Sequence, residues 1–377
     1  MNEAATKVTP VPFLDLAPSH APLKSRLLQE IGDLFDSGAF TNGPQVREFE
    51  TAFAAYCGAA ECVGVASGLD ALRLTLLAAG VTSGDEVIVP AMTFVATFEA
   101  VSQTGATPIP VDVSKNDYGL DPAAIRAAVT PRTRAIMPVH LYGQLVDMTS
   151  VAAIANDQGI PIVEDACQAH GASRDGLAPG DAALAAAFSF YPGKNLGAIG
   201  DAGAVITDDP ELAARLRGFR EHGQVAKYKH EYDGYTSRLD TLQALVLLLK
   251  LPFLDTWNGE RRTIADQYLG ALAGLPDLHL PPVAPASEPV WHLFVVRTSD
   301  PGSLAAFLAA RGIQTGRHYP EPPHLSPAWG HLQHMTGSFP VTEMLARECL
   351  SLPIYPGMPE SHVSAVIDGV HEYFRHG

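Results

Sequence analysis

The chain has 377 residues, 47% of them hydrophobic and 18% charged, with a formal net charge of −16 at pH 7. This is the composition of a globular protein long enough for about two domains of ~100–200 residues, and its acidity speaks against nucleic acid or an anionic membrane as a partner. The four cysteines (Cys57, Cys62, Cys167, Cys349) form no paired CxxC motif, and no signal-peptide pattern precedes "VPFLDL", so reduced thiols and a cytoplasmic location are expected.

In chain order, residues 20–57 read as helical pieces divided by the Gly/Asn/Pro loop "SGAFTNGPQ". Seven strand candidates follow: "CVGVASG" (62–68), "EVIVPA" (86–91), "TPIPVDV" (107–113), "RAIMPVHLYG" (134–143), "IPIVEDA" (160–166), "AAAFSFYP" (185–192) and "GAVITDD" (203–209). Most are continuous apolar runs, as expected of strands buried on both faces of a mostly parallel sheet. Helical stretches such as "LDALRLTLLAAG", ended by Gly80, alternate with them. The predicted fold is α/β. Residues 239–270 read as a long amphipathic helix broken near Pro252. The longest apolar run, "ALVLLLKLPFL" (244–254), is too short to span a membrane and is interrupted by Lys250 and Pro252. A proline-rich hinge, "LAGLPDLHLPPVAPASEP", leads to a smaller α+β domain with strand "WHLFVVRT" (291–298) and helices at 303–312 and 361–374. The expected division is 1–255 and 256–377.

The chemistry collects at strand ends, where open α/β sheets bind ligands. Lys194 stands in "FSFYPGKNLGAIGDAG" (188–203) among aromatic and small residues. A phosphate-loop reading fails, because Phe188 and Asn195 occupy the positions that need Gly and Ser/Thr. Two readings stay open for the lysine alone: a loop residue facing solvent, or an amine made nucleophilic by an apolar setting. Asp165, ending the strand of "IVEDACQAHG", reads singly as a cap or structural acceptor. Together the two suit pyridoxal phosphate, which needs a lysine amine and a carboxylate opposite its pyridine nitrogen. Ser67 and Gly68 open a helix after a strand, a setting for a phosphate. Ser189 could add a hydroxyl, and Phe94 a flat apolar wall.

Six ordered motifs, "SGLDALRL", "GDEVIVPAMTFVAT", "PVHLYGQ", "IVEDACQAHGA", "FSFYPGKNLGAIGDAGAVIT" and "GYTSRLDTLQA", resemble those of the DegT/StrS-type sugar aminotransferases. The resemblance runs from about Phe13 to Tyr355 and is greatest to the branch acting on dTDP-3-keto-6-deoxyhexoses. It implies the aspartate aminotransferase-like fold (PLP fold type I) and a homodimer with composite sites. It also implies pyridoxal 5′-phosphate alternating with pyridoxamine 5′-phosphate, a nucleotide-sugar substrate, and L-glutamate as amino donor. By the same resemblance, Lys194 holds the cofactor covalently and moves the proton, Asp165 faces the ring nitrogen, and Gln168 lies near the ring hydroxyl. Phe94 stacks on the ring, while Ser67, Gly68, Leu69 and Ser189 take the phosphate. Leu69 stands where threonine is frequent, and Thr236 where the family carries the asparagine that reaches the partner's phosphate. Family dehydratases carry histidine at the lysine position, so Lys194 speaks against that activity.

The remaining candidates are weaker. His170 reads as a helix-end residue or a cofactor contact, and "HLYGQ" (140–144) as strand-end packing or a wall of the sugar pocket. In the basic loop 221–234, His222, Tyr228 and His230 could meet a sugar diphosphate, and Arg317, His318 and Tyr319 could close over the substrate. A solvated face is the plain alternative for the loop. "HEYFRH" fails as a zinc helix, since His371 and His376 are not four apart, and no metal is expected. No strand runs into a GxGxxG turn, which disfavours a nicotinamide dehydrogenase.

Overall fold

The computed structural model describes residues 10–376. All seven expected strands are present: β1 (Glu61–Val65), β2 (Glu86–Pro90), β3 (Thr107–Val111), β4 (Thr133–Ile136), β5 (Val163–Asp165), β6 (Ala185–Ser189) and β7 (Gly203–Thr207). One group runs β3-β2-β4 and another β5-β6-β7-β1. Parallel bridges Ile136↔Ile162 and Val139↔Asp165 join them into a single sheet. Only β7 is antiparallel to its neighbours, pairing Ala187↔Val205 on one side and Val63↔Val205 on the other. The sheet is therefore mostly parallel, and every residue of β2 and β7 is buried. Strand β3 shows how sequence selects position. Pro108 and Pro110 lack the N–H that a second neighbour would need, and β3 lies at the edge, paired with β2 alone.

The helix Gly68–Ala78 is capped by the Ser67 hydroxyl, which accepts from the Asp70 N–H at 3.1 Å. Its apolar face, with Leu72, Leu74 and Leu76, packs with Val63, Val87 and Val205 of the sheet. On the opposite side Phe49, Phe53, Phe188 and Phe190 form an aromatic cluster with ring centroids 5.1–5.5 Å apart. A second apolar core unites Tyr268, Phe294, Leu304, Leu350 and Val366 around an antiparallel pair, β8 (Phe294–Arg297) and β9 (Cys349–Leu352). Val11 joins this core from the start of the chain, bridging to Ile313. The helix Pro340–Glu348 was not legible in the sequence. Asp112, beyond the edge strand, supplies its cap by accepting from the Val341 and Thr342 N–H groups, both at 2.9 Å.

The helical stretch breaks where Pro252 predicts, into Thr241–Lys250, a single tight turn, and Leu254–Ala271. Its apolar excess reads in the sequence as a subunit interface; in the structure Leu242, Leu248 and Leu249 are half-buried and Phe253 is 40% exposed, while one face of the helix is covered by its own chain. Ala244, Leu245, Val246 and Leu247 are buried inside this chain, with Ala244 and Leu247 packed among Phe49, Phe53 and Phe190. Lys250, at the end of that helix, is 3% exposed. Its ammonium donates to the Gly197 carbonyl and to His20 Nε2 at 3.0 Å.

Burial pushes the Lys250 pKa down from 10.5 to about 8. Below the lower value the group is charged in the folded and unfolded chains alike, and the folded state bears the full desolvation cost. Above the higher value it is neutral in both, and the cost is gone. The stability of the native protein relative to Lys250→Met should therefore rise by roughly 3 kcal/mol between those two pH values. Urea melts of both proteins across the window check this; parallel curves would refute a charged buried Lys250.

Candidate active site

A cavity of about 470 Å³ opens at the carboxyl edge of the sheet. Its wall brings together Ser67, Gly68 and Leu69 after β1, Phe94 after β2, Asp165 and Gln168 at β5, and Ser189 and Lys194 at β6. Residues far apart in sequence converge because parallel strands present their carboxyl ends on one edge.

Asp165 is 6% exposed. Its Oδ2 accepts from the Thr97 hydroxyl at 2.9 Å and its Oδ1 from the Cys167 N–H at 3.2 Å. Thr97 in turn lies 2.7 Å from the Thr93 hydroxyl. The carboxylate is thus oriented from two sides, a role that the sequence reading did not assign to Thr97 at the end of "GDEVIVPAMTFVAT". Lys194 is half-buried. Desolvation lowers its pKa, opposed by the nearby Cys167 and Asp165, and the same burial raises the Cys167 thiol. The lysine loop is tied at both ends, with Lys194 N–H on the Tyr191 carbonyl at 2.8 Å and Ala198 N–H on the Phe190 carbonyl at 2.8 Å.

At the other end of the cavity stands the first turn of helix Gly68–Ala78, whose leading N–H groups have no acceptor within the helix. Glycine is sterically required there. A Cβ on Gly68 would lie 2.6 Å from Ser189 Cβ, and one on Gly203 would lie 2.3 Å from the Ser67 carbonyl oxygen. The two serines and the helix start are consequently packed backbone to backbone. Gln168 accepts from the Tyr142 N–H at 2.7 Å and donates to the Tyr319 hydroxyl at 3.3 Å. Phe94, 49% exposed, faces Tyr319 with centroids 5.4 Å apart.

Of the remaining candidates, His318 and Tyr319 line this cavity. His318 stacks on Phe13 and meets the Ser351 hydroxyl through Nδ1 at 2.7 Å, and burial and Lys194 lower its pKa to about 4. Arg317 does not line it. Its guanidinium donates to the carbonyls of Ala346, Arg347 and Cys349, closing the C-terminus of helix Pro340–Glu348. That satisfies the last carbonyls and the negative end of the helix. Tyr228 and His230 stand on an exposed hairpin (Gln224–Ala226 with Lys229–His230) and His222 is exposed just ahead of it, all outside the cavity of their own chain. Thr236 is exposed too, its hydroxyl 3.2 Å from His222 Nε2.

His170 is 1% exposed, packed against Phe188 and Phe190 outside the cavity lining, and burial lowers its pKa to about 3. His140 is a buried partner of Glu164 at 2.9 Å, whereas Tyr142 donates to the His318 carbonyl and so holds the segment carrying His318 and Tyr319. His371 meets the Ala271 carbonyl at 2.9 Å. Among the described residues no group of three His, Cys, Asp or Glu is arranged to hold a metal ion. Sequence reasoning missed Phe13, Arg261 and His292, which lie outside the six motifs, and Thr97, which ends the motif "GDEVIVPAMTFVAT" but was given no role there.

The model of the DegT/DnrJ/EryC1/StrS aminotransferase family matches residues 22–371. The dTDP-3-amino-3,4,6-trideoxy-alpha-D-glucose transaminase of Streptomyces venezuelae is 51% identical over 363 residues, 96% of each chain. The dTDP-3-amino-3,6-dideoxy-alpha-D-galactopyranose transaminase of Aneurinibacillus thermoaerophilus is 46% identical, covering 96% of this chain and 99% of its own. The crystal structure of S. venezuelae DesV in complex with a ketimine intermediate superposes with a TM-score of 0.95 at 50% identity, covering 97% of this chain and 98% of that one. With a matched cavity chemistry, a shared fold and half of its residues identical to such relatives, the chain belongs to the DegT/DnrJ/EryC1/StrS aminotransferase family.

Proposed function

We propose that this protein is a pyridoxal-phosphate-dependent aminotransferase. It makes the 3-amino sugar from a dTDP-linked 3-keto-6-deoxyhexose, with L-glutamate as donor. The observation that carries the reading is the meeting of Lys194 and Asp165 in one cavity, opposite a helix start where glycine keeps the wall bare. Those residues fit the cofactor. Asp165 would pair with the ring nitrogen, Gln168 would meet the ring hydroxyl, and Phe94 would cover the ring. Ser67, Ser189 and the Gly68 and Leu69 N–H groups would hold the phosphate. When bound, the cofactor supplies an electron sink for proton loss at the carbon bearing the transferred nitrogen.

The chain's own part is positioning and proton transfer. Lys194 Nζ, with its pKa lowered by burial, would take the proton from the donor's α-carbon and deliver it to the cofactor's 4′ carbon. Asp165, oriented by the Thr97 hydroxyl, presents its carboxyl group to the cavity. His318 and Tyr319 would contact the sugar. The two relatives of known substrate differ in sugar but share the dTDP group and the 3-amino position, which favours both features here. In the same reading, residues 1–255 form the cofactor-holding domain and 256–377 the smaller one. Two copies form a homodimer in which His222, Tyr228, His230 and Thr236 enter the partner's cavity. In support, Tyr228 is 82% exposed and Tyr191 and Ile199, beside the lysine loop, are 58% and 48% exposed. Four free thiols support a reducing compartment, the cytoplasm.

The direct test loads the protein with pyridoxamine phosphate, offers dTDP-3-keto and dTDP-4-keto 6-deoxyhexoses, and follows the product by mass. Amination of the 3-keto sugar is expected; no aminated product from any of the sugars refutes the reading. Lys194→Ala and Lys194→Arg should each lose the visible absorbance of the loaded protein and all transfer, since arginine stays protonated and cannot exchange its proton. Near-normal turnover of the arginine variant would overturn the assignment. Asp165→Asn should fold and retain cofactor but transfer more slowly by on the order of 10²–10³, the usual effect of removing one preorganised charge. Unchanged single-turnover rates would reduce Asp165 to a structural acceptor. Sedimentation at micromolar concentration should give a dimer, and an active monomer would exclude composite sites.

A further inference from the structure

Asp70 stands in the first turn of helix Gly68–Ala78, whose start faces the cavity. The Ser67 hydroxyl accepts from its N–H at 3.1 Å, which is half of a reciprocal cap. An acidic side chain at this position can close the other half by reaching back to the backbone of the capping residue. Here the carboxylate is turned elsewhere. Its Oδ2 accepts from the Ser237 hydroxyl at 2.9 Å, and its Oδ1 pairs with the Arg73 guanidinium. Arg73 in turn lies over the Tyr235 ring, 4.2 Å from its centroid. Ser237 is 1% exposed, and its hydroxyl also accepts from the Ala66 N–H at 3.4 Å. The helix start therefore grips a segment 167 positions further along the chain.

That segment is extended. Thr236 bridges to Glu221, with the His222 N–H on the Tyr235 carbonyl at 2.9 Å and the Ser237 N–H on the Arg220 carbonyl at 3.0 Å. Successive side chains of extended backbone point to opposite faces. With Tyr235 and Ser237 held by Arg73 and Asp70, Thr236 between them is presented outward, exposed and 3.2 Å from His222 Nε2. The charge on Asp70 works against its own cavity, because a carboxylate in the first turn of a phosphate-holding helix repels the phosphate. Its contacts serve residues 235–237 instead.

We propose that Asp70 is a positioning residue for the partner's cavity: through Ser237 and Arg73 it fixes the segment that presents Thr236 and His222 to the neighbouring subunit. This rests on the reading of a dimer with composite sites and names what aims the crossing segment. The helix that takes the phosphate in one subunit and the segment that completes the other site are then a single rigid unit. Loss of the carboxylate acts in opposite directions at the two sites. In its own cavity a negative charge near the phosphate disappears, so cofactor affinity stays the same or rises. In the partner's cavity the crossing segment loses its tether, and affinity falls.

Heterodimers assembled from two differently tagged chains separate this role from a structural one. Lys194→Ala silences one cavity, so the visible absorbance on loading with pyridoxal phosphate comes only from the chain that keeps the lysine. In the first heterodimer Asp70→Ala is placed on the silenced chain, and the reporting cavity is completed by the altered segment. In the second it is placed on the reporting chain, and the cavity is completed by an intact segment. Relative to a heterodimer with Lys194→Ala alone, titration of the cofactor-free protein should give an apparent Kd raised about three- to tenfold in the first, the scale of one lost hydrogen bond. The second should match that control within about twofold or bind more tightly. Ser237→Ala removes the tether while leaving the Ser67 cap and the helix charge in place. It should reproduce both results, and it decides the matter if Asp70→Ala does not fold. Weakening that follows the reporting chain, equal weakening in both heterodimers, or none in either would overturn the role. A native protein that takes up no pyridoxal phosphate, or remains a monomer when loaded, would instead strike the reading on which the proposal rests.

Discussion

A lysine amine can exchange a proton near neutral pH only if water is kept from stabilising its charged form, and much of the fold around Lys194 answers that requirement. The loop carrying it folds back on itself, Phe190 to Ala198, and its tightest point is Gly197, where a Cβ would lie 2.3 Å from the Pro192 carbonyl oxygen. Lys250 holds the Gly197 carbonyl from below. Asn195 is pinned by Asn258 at 2.9 Å and by the Val290 carbonyl at 2.8 Å. The half-buried lysine is flanked by fixed groups, so its partial shielding comes from a rigid setting. The aromatic cluster under the loop supplies the apolar floor, with Phe188, Phe190 and Leu196 in one buried group.

Electrostatics divides between surface and cavity. The chain is strongly acidic overall, yet the wall of its cavity collects Lys194, Arg261, His292 and His318. Two of these are imidazoles that burial keeps neutral, so little permanent charge is stored there. The imidazoles offer hydrogen bonds without strong fields. The same wall also carries the acidic side chains of Asp165, Glu99 and Asp201. The field in the cavity is thus set locally, where the dielectric is low, and is not fixed by the net negative charge of the chain.

The strands were legible because each is a short, continuous apolar run, and burial on both faces leaves no other economical arrangement. The strand-end positions of Ser67, Asp165 and Ser189 followed from the same runs. The short helix Pro340–Glu348 was not legible, because its cap comes from Asp112, more than two hundred residues earlier. Arg317 shows a different failure. A cation in a proline-rich loop looks the same whether it will meet a ligand or the carbonyls of a helix end, and here it meets the latter. The apolar run at 244–254 is ambiguous for a related reason, since excess hydrophobicity does not say whether the same chain or another copy will cover it, and here the chain covers only part of it.

By itself the sequence determined the class of sheet, the edge position of β3 and the two reactive groups at the ends of neighbouring strands. These depend on residue type, short-range spacing and the missing N–H of proline, all local properties. Only the tertiary structure decided what orients and surrounds those groups. Thr97 reaches Asp165 across 68 positions, Lys250 reaches Gly197 across 53, and Arg261 reaches Ile354 across 93. Such pairs leave no periodic trace in a chain, because a hydrogen bond between distant segments constrains geometry without constraining the residues between them.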